Sequence, residues 1–161
     1  MKKIPDENEC EALWDEVALP AHIRRHCEAV MRRACALCEE LQDRWSFDED
    51  LVSAGAMLHD ILRLQPCHAR AGAEFLRQRG YDERLARIVE GHMCLTEDMR
   101  ENLDERAVVF LADKLVSEDE PCTIAARYMA AALRGADPGE MEKQTQRTEE
   151  LYRALQNGKS L

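Results

Sequence analysis

The sequence predicts an all-α fold, a single irregular helical bundle of about seven or eight helices, on three observations. Apolar residues recur three and four positions apart through most of the chain, the spacing of a helix buried on one side. Asp, Pro and Gly divide that pattern into pieces of about ten to twenty residues, the ordinary length of a globular helix. Nowhere do four residues alternate apolar and polar with β-branched enrichment, as a half-buried strand requires. The 161 residues are 45% apolar and 34% charged, with only 7 Gly and 5 Pro, which suits one globular domain over 1–161 and excludes a disordered chain.

Asp6 followed by Glu9 is a capping-box pattern, and Leu13, Trp14 and Val17 continue it as a first helix that Pro20 stops. Pro20 also suits the first position of a second helix, in which Ile23, Cys27, Val30, Ala34, Leu37, Cys38 and Leu41 step by three or four for about five turns. Asp48 caps a third helix with Leu51, Ala54, Met57, Leu58, Ile61 and Leu62. Its small residues Ser53 to Ala56 make it read as a buried central helix ending before Pro66. A fourth runs from about Cys67 to Arg79 and stops at Gly80, and Tyr81-Asp82 lead into a fifth bearing Leu85, Ile88, Val89 and His92. After a polar loop, Asp104 caps a sixth with Val108, Leu111, Ala112 and Leu115. Pro121 separates it from a seventh through Ile124, Tyr128 and Met129, and Gly135 to Pro138 break the chain before a last helix with Met141, Leu151 and Leu155.

Lys and Arg total 22 against 32 Asp and Glu, and the resulting charge of −10 repels nucleic acid and anionic lipid unless basic residues cluster. Duplex nucleic acid is therefore not an expected partner. No run approaches the ~18 apolar residues of a membrane span, so no membrane partner is expected either. The start Met1-Lys2-Lys3-Ile4-Pro5 has no apolar core behind its basic residues, and the 7 Cys are odd in number and scattered. Reduced thiols and a cytoplasmic location are the expectation. A chain of this size buries roughly 70% of its extended surface and needs no structural metal, so any metal is free to be functional.

Four of the 5 His, namely His26, His59, His68 and His92, fall on separate predicted helices at or beside their apolar stripes. One such imidazole is ordinarily a hydrogen-bonded core residue, whereas four together suggest a common task. His59-Asp60 is expected in the middle of the most apolar helix, where a carboxylate beside an imidazole costs several kcal/mol unless both are compensated. A divalent cation would compensate them. Asp113 lies among Val109, Phe110, Leu111, Ala112 and Leu115, and a salt bridge with Lys114 or a neighbouring Arg is its purely structural explanation.

His26 on one helix, the pair His59-Asp60 on the next and a later Asp113 in Leu111-Ala112-Asp113-Lys114-Leu115 resemble the HD-domain superfamily of metal-dependent phosphohydrolases. The likeness covers about residues 20–117, and His68-Ala69-Arg70-Ala71-Gly72-Ala73 and Ile88-Val89-Glu90-Gly91-His92 extend it. It implies an HD-type core over 20–117 and a helical extension over 121–161. By position, His26, His59, Asp60 and Asp113 would form a first metal site, with His68 and His92 completing a second that Asp60 bridges. The implied cofactor is one or two divalent transition-metal ions per chain. Imidazole with carboxylate favours Fe or Mn, with Ni, Co, Mg and Zn as other choices. The implied activity is hydrolysis of a phosphate ester or anhydride by a metal-activated water.

Phosphate needs positive charge, and from Ile61 to Val89 six Arg face three acids, a net of +3 in an acidic chain. Arg63, four residues after His59, and Arg70, two after His68, join Asp60 as the expected catalytic residues. Arg77 to Arg87 read as a solvated, paired face, and Arg33 is the residue near His26 expected to approach the cleft. Leu62-Arg63 replaces both the Gly-Lys of many relatives and the acidic pair of alarmone hydrolases, and the Gly-Tyr-Pro signature of cyclic-dinucleotide phosphodiesterases is absent. The region His92 to Leu115 looks most like bacterial symmetrical dinucleoside-tetraphosphate hydrolases, which makes a small nucleotide-type phosphorylated substrate the expectation. The alternative from another class is a catalytically silent module that binds metal or nucleotide and regulates a partner. The last helix leaves room for a homodimer. Cys35 and Cys38, one turn apart, read as small core hydrophobes rather than a redox pair.

Overall fold

Side-chain caps set most of the helix starts in residues 2–159, which the computed structural model describes; Met1, Ser160 and Leu161 of the expected domain lie outside the described residues. Asp6 and Glu9 form the expected capping box at α1 (Glu7–Glu16). Pro20 stands as the N-cap of α2 (Ala21–Leu41), and Asp48 caps α3 (Glu49–Leu58) through Leu51 N–H. Next come α4 (His68–Gln78) and α5 (Glu83–Gly91), joined by Gly80 at φ +76°, a conformation that favours glycine. Asp104 caps α7 (Glu105–Lys114), Thr123 caps α8 (Ile124–Leu133) and Asp137 caps α9 (Pro138–Asn157).

Three details depart from the sequence reading. The loop before Asp104 holds a short helix, α6 (Glu97–Glu101), started by Thr96. Between α7 and α8 the chain makes a two-residue antiparallel ladder, β1 (Val116–Ser117) with β2 (Glu120–Pro121), too short to leave an alternating pattern. The third helix ends at Leu58 rather than near Pro66. There the hydrogen bonds tighten to three-residue steps, from Ile61 N–H to Leu58 O (3.0 Å), Arg63 N–H to Asp60 O (3.0 Å) and Gln65 N–H to Leu62 O (2.9 Å). His59-Asp60 therefore sits in turns at the end of α3, not in the middle of a helix.

Helix α7 is the axis of the bundle, buried from Ala107 to Lys114, with α2, α3 and α5 packed around it. Trp14 Nε1 donates to Met57 O at 2.9 Å and fastens α1 to α3, and Trp45 Nε1 donates to Leu155 O at 2.7 Å and fastens α9 over the α2–α3 connection. Complete burial of side chains such as Trp14, Phe110 and Leu111 stabilises the fold by roughly 1.5–3 kcal/mol each. The consequence for function is that α3, α5 and α7 are locked together and all end on the same side of the core. No helix among the described residues is long and apolar enough to cross a membrane.

Candidate metal centre

Those helix ends carry the site. His59 and His92 are the C-cap residues of α3 and α5, and each ring meets a carbonyl of its own last turn through Nδ1, Ala56 O for His59 and Val89 O for His92, both at 2.7 Å. The imidazoles thus satisfy carbonyls that the helix ends leave free, which also helps to stop both helices. His26, on α2, is held in the same way by Glu118 O at 2.5 Å, from the tip of the β1–β2 hairpin. A neutral ring that donates from Nδ1 presents a bare lone pair at Nε2.

All four Nε2 atoms face inward. His26 and His59 meet at 3.3 Å through Nε2, and so do His68 and His92. Two lone pairs at that distance repel unless a proton or a cation lies near them. Asp60 stands between the pairs and serves both. Its Oδ1 is 3.2 Å from His68 Nε2 and 3.3 Å from His92 Nε2, and its Oδ2 is 3.6 Å from His59 Nε2 and 4.0 Å from His26 Nε2. Asp113, in the last turn of α7, places Oδ1 3.0 Å from His26 Nε2 and 3.6 Å from His59 Nε2. Its other oxygen accepts from buried Lys114 Nζ at 2.7 Å, and Lys114 also donates to His92 O at 3.3 Å. Two triads, His26–His59–Asp60 and Asp60–His68–His92, each hold their ligand atoms within 4.8 Å of one another, close enough for a metal ion.

Charge follows from these contacts. Burial alone would raise the Asp60 carboxyl, but His59, His68 and His92 outweigh it and hold the group well below the usual carboxylate range. Burial likewise opposes ionisation of Asp113, and Lys114 with His26 reverses it. Burial lowers the His92 imidazole and keeps it neutral. Burial also disfavours charge on His59, yet Asp60 beside it raises that imidazole well above its ordinary value. The cluster therefore attracts a positive charge between its carboxylates. Inward lone pairs, ionised carboxylates and fixed outer hydrogen bonds are what a divalent ion requires of its ligands, so the donor set fits.

The structure thus brings His26, His59, Asp60, His68, His92 and Asp113 to one place. Of the expected catalytic arginines, Arg63 adjoins it, with Nε 3.7 Å from Asp60 Oδ2 and Nη1 3.4 Å from His68 Nδ1. Arg70 does not: it is exposed on α4 and lines no part of the adjoining cleft. Arg33 is also elsewhere, bound to Glu40 and the Tyr152 hydroxyl because its turn of α2 faces α9. Arg77, Arg79, Arg84 and Arg87 pair with acids on the outer surface, as a solvated face should. Burial pushes the Cys38 thiol up to about 12 and raises that of Cys35, so this pair is a poor nucleophile or ligand.

A cleft of about 640 Å³ opens beside His26, Asp60 and Arg63, and its wall includes His22, Arg127 and Arg134, which the sequence reading did not single out. His22 lies one turn before His26 on α2, so helical spacing was a usable signal. Arg127 and the C-cap residue Arg134 come from α8 and its end, which the β1–β2 hairpin turns back toward the site, and nothing local in the sequence announces that.

The HD domain family model matches residues 23–118. The chain belongs to the HD domain family. Among curated proteins, this HD-domain chain is similar to two proteins named tRNA (cytidine(56)-2'-O)-methyltransferase. That of Picrophilus torridus is 34% identical over 136 residues, 74% of this chain and 38% of the relative. That of Thermoplasma volcanium is 38% identical over 96 residues, 58% of this chain and 27% of the relative. An uncharacterized protein of Methanocaldococcus jannaschii is 38% identical over 76 residues, 45% of each chain. The chain therefore spans less than half the length of these relatives. No solved structure matches it.

Proposed function

We propose that this HD-domain chain is a metal-dependent phosphohydrolase that cleaves a phosphate ester or anhydride of a small nucleotide-type substrate. The observation that carries the reading is Asp60, which turns one oxygen to His26 and His59 and the other to His68 and His92. A single carboxylate shared in this way suits two cations a short distance apart. His26, His59, Asp60 and Asp113 would hold one ion and His68, His92 and Asp60 a second, with residues 20–117 as the metal-binding core and 121–161 as a helical extension. Divalent ions bound there would bring the pKa of water toward neutrality and offset charge on a phosphoryl oxygen.

The chain's own groups do the remaining work. Lys114 fixes one oxygen of Asp113 so that the other faces His26. The carbonyls of Ala56, Val89 and Glu118 fix the planes of three imidazoles. Arg63, half exposed at the cleft edge, donates to a non-bridging phosphate oxygen. The cleft is large enough for a nucleotide and open to water.

Elemental analysis of protein purified without added metal, combined with phosphate release from a substrate panel, tests the reading. The panel holds nucleoside monophosphates, dinucleoside tetraphosphates and, because two relatives are named for tRNA, a phosphorylated tRNA end. Near two equivalents of iron or manganese per chain with turnover of one member supports it. Absence of metal after reconstitution, or full metal with no turnover across the panel, overturns it in favour of a silent binding module.

A further inference from the structure

The cleft beside the metal centre is also lined by Arg127 of α8 and its C-cap Arg134, beyond the segment that the family model matches. Arg134 stands two turns after Arg127, and both line the cleft. The other cleft cations are engaged, Arg25 with Asp119 at 3.6 Å and Arg63 with Asp60 at 3.7 Å. Arg127 and Arg134 have no acid within ion-pair distance among the described residues, and Arg127 Nε is buried without a hydrogen-bond partner. A buried guanidinium nitrogen left unpaired costs about 1–3 kcal/mol, and the rest of the Arg127 fork, which lines the cleft without an acid beside it, is free to meet an anion.

We infer that Arg127 and Arg134 form a second anion subsite that binds a further phosphoryl group of the substrate, so that the substrate is an organic di- or oligophosphate rather than a simple monoester. The inference rests on the hydrolase reading and names its substrate class. One phosphoryl group sits at the metal centre against Arg63, and the next lies in the cleft on the α8 pair. Planar guanidinium forks match phosphate oxygens in pairs, which is why two arginines here select for phosphate. Glu118, exposed at the hairpin tip on the cleft margin, disfavours anions on its own side and directs the phosphate chain toward α8. Leu64, exposed on the lip, offers an apolar surface for the organic part.

The test compares wild-type protein with Arg134→Gln, Arg134→Lys and the Arg127→Gln/Arg134→Gln double variant, with Arg32→Gln as a surface control. Arg134 is exposed, so its replacement leaves the fold intact even if Arg127→Gln does not. In metal-loaded enzyme the double variant raises KM for a dinucleoside tetraphosphate by about tenfold or more, with kcat nearly unchanged and p-nitrophenyl phosphate turnover unaffected. Arg134→Lys recovers part of the loss. A second readout is calorimetric binding of tripolyphosphate to metal-depleted protein, which weakens by about tenfold in the double variant and needs no activity. If the protein hydrolyses phosphate but neither KM nor tripolyphosphate affinity responds to Arg134→Gln or the double variant, the subsite is overturned and the hydrolase reading stands. If nothing is hydrolysed while tripolyphosphate binding still depends on both arginines, the hydrolase reading falls and the anion subsite stands.

Discussion

His59 and His92 solve one problem with one device: each ring caps a carbonyl three residues back and so commits its other nitrogen to the site. Replacing His59 or Asp60 by Ala is expected to reduce retained metal and phosphate release by at least about 100-fold, with far-UV circular dichroism nearly unchanged. A variant with full metal and full turnover would sink the assignment. Buried thiols give a separate prediction. Burial pushes Cys10 and Cys38 up to about 12 from an ordinary 9.0. The folded chain keeps these protons longer than the unfolded one, so stability is complete below about pH 9 and is lost as pH rises toward 12. At pH 10 each fully buried thiol lowers stability by about 1.4 kcal/mol, which urea unfolding at pH 8 and pH 10 would reveal and Cys10→Ala would roughly halve. A flat stability between those pH values would contradict the burial of both groups.

At the scale of elements, the bundle depends on close approach of the helices that deliver the ligands. A Cβ on Gly55 of α3 would meet Ile88 Cγ2 of α5 at 2.7 Å. Gly55→Ala is therefore expected to destabilise the fold by about 1–3 kcal/mol and to loosen metal binding, because α3 and α5 end in His59 and His92. Thermal melting with and without metal measures both effects, and an unchanged melting point in the variant would show that the helices yield freely. The helices themselves were legible from their periodicity and caps, as at Asp6, Asp48 and Asp104. The end of α3 was not, because Ile61 and Leu62 continue the apolar stripe while the backbone tightens into three-residue turns. The β1–β2 hairpin was also invisible: it is two residues deep, and its value lies in one carbonyl, Glu118 O, placed on His26. For the same reason the convergence of His26, His59, Asp60, His68, His92 and Asp113 could be read from residue type and order, whereas Arg127 and Arg134 depend on where the hairpin sends α8.

For the molecule as a whole, Lys114 and the imidazoles only partly neutralise the two carboxylates at the centre of the core, and a bound divalent cation would compensate them further. Removing metal with a chelator is therefore expected to lower the melting temperature by about 5–10 °C, the effect of roughly 2–3 kcal/mol of ligand linkage in a domain of this size. Equal melting points with and without metal would mean that the ions, if bound, are not coupled to the fold. The shared carboxylate of Asp60 has one more consequence. Its Oδ2 half faces two imidazoles beside a second carboxylate, Asp113, whereas its Oδ1 half faces two imidazoles alone. The richer half should fill first, and the incoming second ion then meets a carboxylate already partly neutralised and a like charge nearby. If both halves bind an ion, as proposed above, loading would be stepwise, and a metal titration would resolve two affinities, the tighter one lost on Asp113→Asn.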